Sequence, residues 1–192
     1  MDALDSVIAS NVLLGQDYMQ PLDAYGDITV QHFVDLLSGA HDDRTLPVLV
    51  DAIISLVSRS EVNLEGYGAV VSPKMGNVLL CKAVAQRLSK PSGFVRGSIL
   101  FGKYIETLEL PGTKLLLVDD VSSEAKILTE SVRNARESGY VIDVVYTVVD
   151  RSEGDAARRL GDLGVRLHAA RRYSDRDLAE LVRSWKRQSE HF

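Results

Sequence analysis

The stretch Lys114–Ile127 reads KLLLVDDVSSEAKI, and it decides the fold. It begins with an uninterrupted apolar run, Leu115–Val118, which is typical of a strand buried on both faces of a sheet. Two carboxylates end this run, two serines follow after one valine, and an amphipathic segment then continues over Ala125–Glu137. This succession predicts a strand, a polar turn and a helix. In open α/β sheets, ligands lie beyond the carboxyl ends of the strands and anions bind at helix N-termini.

The rest of the chain alternates β-rich runs with segments of helical period. Further strands are predicted at Gly66–Val71, Phe94–Val95, Val141–Val149 and Val165–Ala169, and helices at Asp2–Leu14, Leu46–Val57, Asn77–Leu88, Gly154–Leu163 and Asp175–Gln188. The segment Gly97–Glu109 has no clean period, and within it Lys103–Leu108 is either a strand or a mobile loop. Such alternation predicts an α/β fold, with a mostly parallel central sheet covered by helices on both faces. No repeat or linker divides the chain, so we expect a single domain over residues 1–192.

Composition narrows the class of protein. The net charge of -5 and the pI near 5.4 argue against a broad nucleic-acid surface, which is normally basic. The single cysteine, Cys81, excludes an internal disulfide and suits a reducing compartment. No apolar run approaches the ~20 residues that span a bilayer, and the acidic N-terminus is unlike a secretory signal. We therefore expect a cytoplasmic protein with no membrane contact. Its four histidines lack metal-ligand spacing, so no protein-borne metal site is expected.

The stretch Lys114–Ile127 resembles the ribose-phosphate signature of the type I phosphoribosyltransferases, and most closely that of the orotate phosphoribosyltransferases. Val118–Val121 keeps the strand end and the acidic pair of that signature. The resemblance implies the phosphoribosyltransferase fold with a small N-terminal hood, in which Phe33–Leu36 looks like the second strand. It also implies a phosphoribosyl or nucleotide ligand, a homodimer, and Mg²⁺ if phosphoribosyl pyrophosphate is the compound that binds.

The acidic pair Asp119 and Asp120 supplies the catalytic residues that the resemblance implies. Their roles would be to bind the ribose hydroxyls, directly or through water or Mg²⁺, and to stabilise positive charge that develops at the anomeric carbon. Adjacent residues of a strand point to opposite faces. We therefore expect at most one of the two carboxylates to face a given site directly.

The turn that follows departs from the family pattern. Ser122, Ser123 and Lys126 are its candidate phosphate-binding residues, but it has no glycine to let backbone amides close around an anion. Glu124 adds a negative charge, and two unit charges ~4 Å apart repel by about 4 kcal/mol at an effective dielectric constant near 20. Two alternatives remain open. Glu124 repels a phosphate, with Lys126 as an offset, or its own carboxylate occupies the anion site.

Other candidate phosphate- or ribose-binding residues lie in two further loops. The loop Ser72–Asn77 matches the family's pyrophosphate loop at Pro73 and Gly76, and it adds the candidates Lys74 and Asn77. Arg96 ends a strand where the family has Val-Arg-Lys, and Lys103 is the one candidate substitute for the charged loop that should follow. Apolar residues, Ile99–Phe101, stand where that loop would carry charge. They are expected to pack in the core or in an interface between subunits.

These departures leave three hypotheses for function. The first is an orotate phosphoribosyltransferase-like protein whose transferase activity is divergent or reduced, because several groups that would neutralise the pyrophosphate are absent. The second is a catalytically inactive subunit that acts as a ligand sensor or as an assembly partner for another protein. The third is an unrelated doubly wound nucleotide-binding protein. The retained acidic pair favours a ribose-linked ligand.

Overall fold

The computed structural model describes residues 1–14, 32–36, 43–73, 75–100, 103–106 and 112–189. Eight strands lie within these ranges: β1 (Val12–Leu14), β2 (His32–Val34), β3 (Tyr67–Ser72), β4 (Ser92–Leu100), β5 (Lys103–Glu106), β6 (Lys114–Ser122), β7 (Val144–Arg151) and β8 (Arg166–Tyr173). The same ranges contain six α-helices: α1 (Ala3–Ser10), α2 (Thr45–Arg59), α3 (Val78–Arg87), α4 (Lys126–Glu137), α5 (Ala156–Gly161) and α6 (Asp175–Ser189). None of these helices is long and apolar enough to cross a bilayer.

The central sheet has six strands in the order β5-β4-β3-β6-β7-β8. Five of them run parallel, and β5 pairs antiparallel with β4. Strand β6 lies inside the sheet between β3 and β7, as the apolar run Leu115–Val118 predicts. The predicted α/β fold with a mostly parallel sheet is confirmed. Its cause is the repeated strand–helix alternation, since parallel neighbours need crossover connections.

Helices cover both faces of the sheet, and the alternation of side chains along β6 shows why. Leu116 and Val118 join a core cluster that includes residues of α1, α2, α3 and α6. Leu115 and Leu117 join the opposite cluster, which includes residues of α4 and α5. All four side chains are fully buried. A strand with an apolar residue at every position is thereby buried on both faces.

The N-terminal region differs from the predicted helix Asp2–Leu14. The helix ends at Ser10, Asn11 caps it, and β1 then pairs antiparallel with β2, so that Val12 lies opposite Val34. The prediction of a helix to Leu14 is wrong because a short apolar run fits both periods, and pairing with a distant strand decides between them. The two-stranded sheet of β1 and β2 lies where the hood is expected, and residues 15–31 lie outside the description.

Two strands are longer than the sequence pattern predicts. Strand β6 continues to Ser122, so the acidic pair lies within the strand rather than after it. Strand β4 extends over Ser92–Leu100 instead of Phe94–Val95, and β5 returns antiparallel to it. Within the described part of Lys103–Leu108, which is residues 103–106, the strand alternative is therefore right and the mobile loop is wrong. Hydrogen bonds to the neighbouring strands extend β4 and β6 beyond the apolar residues from which they were predicted.

Candidate functional site

The candidate site lies where the carboxyl ends of β3, β6 and β7 meet, which we call the carboxyl edge of the sheet. Asp119 and Asp120 belong to the last part of β6, and each is less than a tenth exposed. Asn77 approaches them from the 3₁₀ turn Met75–Asn77, which follows β3 and leads into α3. The fold thus brings a buried amide from the connection after β3 onto two buried carboxylates of the adjacent strand β6.

One amide group serves both carboxylates. Asn77 Nδ2 donates a hydrogen bond to Oδ1 of Asp119 and another, of 3.0 Å, to Oδ1 of Asp120. The expectation that only one carboxylate faces a given site is wrong for this contact. Asp119 Oδ1 also accepts from the backbone N–H of Asp120 at 3.1 Å, so its side chain leans along the strand. This lean lets two neighbours in a strand reach the same partner.

The cluster buries two carboxylates beside a neutral amide. Burial raises the pKa of Asp120 above its ordinary value, although hydrogen bonds from Asn77 and from backbone N–H groups act to lower it. Asn77 Oδ1 is buried and has no hydrogen-bond partner among the described residues. A buried polar atom without a partner costs about 1–3 kcal/mol. Such unmet groups at the carboxyl edge are typical of a binding site rather than of a structural contact.

The turn Ser122–Lys126, which we call the serine turn, is partly occupied by its own contacts. Ser122 Oγ donates to Asp150 Oδ1 at 2.8 Å, so its hydrogen is already used. The Glu124 carboxylate is buried, and its Oε2 lies 3.1 Å from Nζ of Lys126, without hydrogen-bond geometry. Ser123 Oγ is buried and has no hydrogen-bond partner in the described chain. Ser123 is therefore the serine whose hydroxyl can still donate to a ligand.

The backbone of the serine turn keeps an anion-binding geometry without a glycine. Ala125 adopts the left-handed conformation (φ 56°, ψ 24°), and no side chain caps the helix α4 that begins after it. The first N–H groups of a helix are unpaired and favour an anion. A cavity of about 60 Å³ is lined by Asp119, Val121 and residues 122–128. The turn and the start of α4 thus face a small open space beside the acidic pair.

The serine turn packs against a glycine, Gly154, that lies on a neighbouring loop. A Cβ added to Gly154, which follows β7, would lie 2.2 Å from the backbone oxygen of Ser123. Only a residue without a side chain lets the two loops approach so closely. Asp150 and Gly154 are therefore part of the site, and the sequence analysis missed both. The signal was present, because an acid, Asp150, follows the β-rich run Val141–Val149 just as Asp119 follows the apolar run Leu115–Val118.

The remaining predicted site residues are only partly described. Gly76 lies in the 3₁₀ turn and is exposed, while Lys74 lies outside the described residues. Arg96 places its guanidinium 5.5 Å from the ring centroid of Phe94, and its carbonyl oxygen accepts from Asn134 at 2.8 Å. Lys103 is placed in β5 by its backbone. The described structure thus brings Asp119, Asp120 and Asn77 into direct contact, next to the serine turn.

The donor set of the carboxyl edge suits a substrate-bound divalent ion. The described residues contain no group of three or more His, Cys, Asp or Glu side chains that would hold a metal by themselves. Mg²⁺ commonly binds through one or two carboxylates together with substrate phosphates. Asp119 and Asp120 provide such carboxylates, so the residues present fit an ion that arrives with its ligand.

Comparisons with known proteins give one family name repeatedly. No family profile matches the chain. Orotate phosphoribosyltransferase from Cenarchaeum symbiosum is 28% identical over 123 residues, which cover 62% of this chain and 58% of that protein. The enzyme of the same name from Methanosarcina acetivorans is 29% identical over 140 residues, which cover 68% of this chain and 72% of that protein. The match includes only part of each relative.

Solved structures extend the likeness to nearly the whole chain. Orotate phosphoribosyltransferase from Aeropyrum pernix superposes with a TM-score of 0.74 at 24% identity, over 95% of this chain and 99% of that one. The Mycobacterium tuberculosis orotate phosphoribosyltransferase, solved in complex with 5-phospho-alpha-D-ribosyl 1-diphosphate, gives a TM-score of 0.65 at 21% identity, over 92% and 96% of the two chains. These likenesses confirm the fold that the signature around the acidic pair implies.

Proposed function

Starting from a chain that has the type I phosphoribosyltransferase fold and most resembles the orotate phosphoribosyltransferases, we propose that it binds a phosphoribosyl or nucleotide ligand at the carboxyl edge. We propose further that its transferase activity is divergent or reduced. The observation that carries the proposal is the contact of Asn77 with Asp119 and Asp120. It assembles acceptors for ribose hydroxyls at the sheet end where such folds bind ligands.

In this proposal the acidic pair binds the ribose and does the catalytic work. Carboxylates accept hydrogen bonds from ribose hydroxyls, and a negative charge near the anomeric carbon stabilises the positive charge that develops there. Asp119 and Asp120 would also hold Mg²⁺ when phosphoribosyl pyrophosphate is bound. That ion would supply charge neutralisation to the pyrophosphate. Asn77 keeps the two carboxylates side by side and offers its unpartnered Oδ1 to a ligand donor.

The serine turn would receive the phosphate. Ser123 offers a hydroxyl without a partner, and the first N–H groups of α4 favour an anion. Ser122, whose hydroxyl Asp150 holds, lines the same space, and Lys126 reaches it once its contact with Glu124 is exchanged for a ligand contact. Four further residues keep phosphate- or ribose-binding roles by their positions in the family pattern: Lys74, Gly76, Arg96 and Lys103.

The same turn supports the proposed reduction in transfer. A leaving pyrophosphate carries several negative charges, and each preorganised donor that is absent typically costs about 2.7–4 kcal/mol of transition-state stabilisation. Here the Glu124 carboxylate lies in the turn, and it pairs with Lys126 at 3.1 Å. Glu124 and Lys126 are therefore paired with each other in the absence of a phosphate.

Calorimetry with phosphoribosyl pyrophosphate and Mg²⁺ tests the binding proposal. We expect saturable binding by the wild-type chain and a loss of at least about tenfold in Asp119→Asn, because the acidic pair meets the ribose. Glu124→Gln should bind more tightly, because it removes a charge but keeps the side chain's size. Glu65→Gln is the matched control, since it removes an equal charge from the distant turn that precedes β3. No binding by the wild-type chain would overturn the proposal.

A transfer assay with orotate separates reduced activity from ordinary activity. We expect turnover far below about 10 per second, which is typical of enzymes. Turnover at the ordinary rate would contradict the reduced activity while leaving ligand binding intact. Replacement of residues 122–126 by Thr-Thr-Gly-Gly-Ser should raise phosphate affinity.

The second candidate function is an inactive subunit of the same fold, acting as a ligand sensor or an assembly partner. The contact between Glu124 and Lys126 favours it, because the turn then satisfies its own charges. Binding of the ligand with no turnover in either Glu124→Gln or the grafted turn would support this candidate. Turnover that appears in either variant would exclude it.

Assembly and location complete the proposal. We propose a homodimer in the cytoplasm, with one domain over residues 1–192, by analogy with the family habit and from the composition. The apolar residues Ile99–Phe101, whose side chains lie outside the description, are the sequence reason to expect an interface. Sedimentation that shows a monomer at micromolar and higher concentrations would contradict the dimer.

A further inference from the structure

A row of polar residues crosses three neighbouring strands beside the serine turn. Ser122 of β6 lies in register with Asp150 of β7, and Asp150 lies in register with Arg172 of β8. The Ser122 hydroxyl donates to Asp150 Oδ1 at 2.8 Å, and Arg172 Nε lies 3.6 Å from Asp150 Oδ2. Asp150 is buried. The family signature in β6 contains neither Asp150 nor Arg172.

Burial of the Asp150 carboxylate is energetically unfavourable. Burial raises the pKa of its carboxyl group, although the hydrogen bond from Ser122 and the charge of Arg172 act to lower it. A buried carboxylate that a single hydroxyl and one distant guanidinium stabilise is expensive to keep. Its two oxygens hold the end of β6 on one side and an exposed cation on the other. These two contacts indicate that Asp150 has a function beyond stabilising the fold.

Arg172 differs from the arginines beside it in what its terminal nitrogens contact. Arg171 bonds Asp5 through Nε at 2.7 Å and Asp2 through Nη2, and the buried Arg151 bonds Asp175 at 2.7 Å. Arg172 is 64% exposed, and its terminal nitrogens make no hydrogen bond with any described residue. Its Nε lies 3.6 Å from the Asp150 carboxylate, which makes an ion pair rather than a hydrogen bond, and its two terminal nitrogens can bind an anion in a bidentate manner.

We propose that Asp150 and Arg172 extend the candidate site along the carboxyl edge. Asp150 is a positioning residue that fixes Ser122 and directs Arg172 toward β6, and Arg172 binds the anionic group of a phosphorylated ligand. The inference rests on the proposed phosphoribosyl-binding function and names the cation of that site. Two strand spacings, about 10 Å, separate β6 from β8. The contact with Asp150, which lies between them, turns the guanidinium in the direction of the turn.

The charges around the turn explain why an additional cation is needed. Asp119, Asp120, Glu124 and Asp150 place negative charge near the cavity, and Lys126 is already engaged by Glu124. A phosphate that enters this region meets repulsion from each carboxylate that stays ionised. Arg172 is in contact with the row and is exposed enough to move onto the ligand.

Calorimetry with inorganic pyrophosphate, and separately with phosphoribosyl pyrophosphate and Mg²⁺, tests the inference. Arg172→Gln should weaken both affinities by about tenfold, because it removes a charged bidentate contact. Arg166→Gln is the matched control: it removes an equal charge from the opposite end of the same strand, where Arg166 is also exposed. It should change either affinity less than about twofold, because Arg166 lies far from the serine turn.

A double-mutant cycle tests the positioning role of Asp150. In an Asp150→Asn background, Arg172→Gln should change pyrophosphate affinity less than about twofold, because Arg172 is then no longer directed to the turn. The dependence of affinity on salt should also become shallower in Arg172→Gln and not in Arg166→Gln. A purely structural role for Arg172 would leave that salt dependence unchanged.

The two ligands separate this inference from the proposed function. If pyrophosphate binds in a manner that depends on Arg172 while phosphoribosyl pyrophosphate does not bind, the inference stands and the proposed function fails. If both bind and Arg172→Gln behaves like Arg166→Gln, the inference alone is overturned. If the wild-type chain binds neither compound, both are overturned.

Discussion

The two ends of the same parallel strands surround their acids in opposite ways. At the amino edge, where β3, β6 and β7 begin, Asp143 accepts from the Tyr67 hydroxyl at 2.5 Å and pairs with Lys114 Nζ at 2.9 Å. At the carboxyl edge, Asp119 and Asp120 share the amide group of Asn77. Asp143 is paired with a cation and a hydroxyl, whereas the side-chain donor that Asp119 and Asp120 share is a neutral amide.

The pKa values follow this difference. Burial acts to raise the pKa of Asp143, but the hydrogen bonds from Tyr67 and Lys114 and the charge of Lys114 outweigh it, so the pKa is lowered. For Asp120 burial prevails and the pKa is raised. An acid whose partners lower its pKa stabilises the folded protein. An acid whose pKa burial raises is instead available to interact with a ligand. Residue type alone does not distinguish the two.

The largest expected effect comes from closing the gap behind the serine turn. Gly154→Ala places a Cβ against the backbone of Ser123, so the turn must move. We expect a loss of about 1–3 kcal/mol in the free energy of unfolding, as for overpacked sites, and a loss of ligand binding. Urea unfolding and calorimetry measure the two. Gly161→Ala is the control, since a Cβ there meets nothing within 4 Å, and it should be neutral or slightly stabilising.

At the amino edge, Asp143→Asn should destabilise the protein at pH 7. The Asp143 side chain is 29% exposed, so solvent screens its pair, and we expect a loss of about 1 kcal/mol, or 2–4 °C in Tm. Because the folded pKa is lowered, the stabilisation by Asp143 is complete above the unfolded pKa and is lost as the pH falls through the folded one. Thermal unfolding at several pH values checks this. A Tm difference that persists at the lowest pH would contradict it.

At the carboxyl edge, Asp120→Asn should have the opposite sign. A raised folded pKa means that the ionised carboxylate costs stability, so the variant should have a higher Tm at pH 7, by about 2–4 °C for each 1 kcal/mol regained. Asn can still accept the hydrogen bond from Asn77. The gain should shrink as the pH falls through the folded pKa and vanish below the unfolded value of ~3.9. A lower Tm at pH 7 would remove the contrast between the two edges.

The smallest expected effect concerns the backbone of the serine turn. A left-handed conformation costs a residue with a Cβ about 1–2 kcal/mol, and glycine returns roughly 0.5–1 kcal/mol of that as unfolded-chain entropy. Ala125→Gly should therefore stabilise the protein by about 0.5 kcal/mol and alter phosphate affinity. Ser89→Gly is the control, because Ser89 also has a positive φ, 54°, but lies after α3. It should give a similar gain in urea unfolding and no change in binding.

Local patterns predicted the elements better than their ends or their partners. The apolar run Leu115–Val118 correctly predicts an interior strand, because full burial requires apolar residues at every position. The end of β6 was missed by four residues, since Asp119–Ser122 continues the hydrogen bonding to β7 with polar side chains. The helix over Asp2–Leu14 was too long, because β1 pairs with a strand far along the chain.

The sequence by itself determined that Asp119 and Asp120 lie at the end of a buried strand and that the turn after them has no glycine, since both are properties of consecutive residues. Only the tertiary structure decided that Asn77 reaches both acids, that Asp150 accepts from Ser122, and that Gly154 makes room for the turn. Each of these contacts joins residues of different βα connections. Their meeting depends on strand order and register, which the packing of the whole sheet fixes and a linear pattern does not contain.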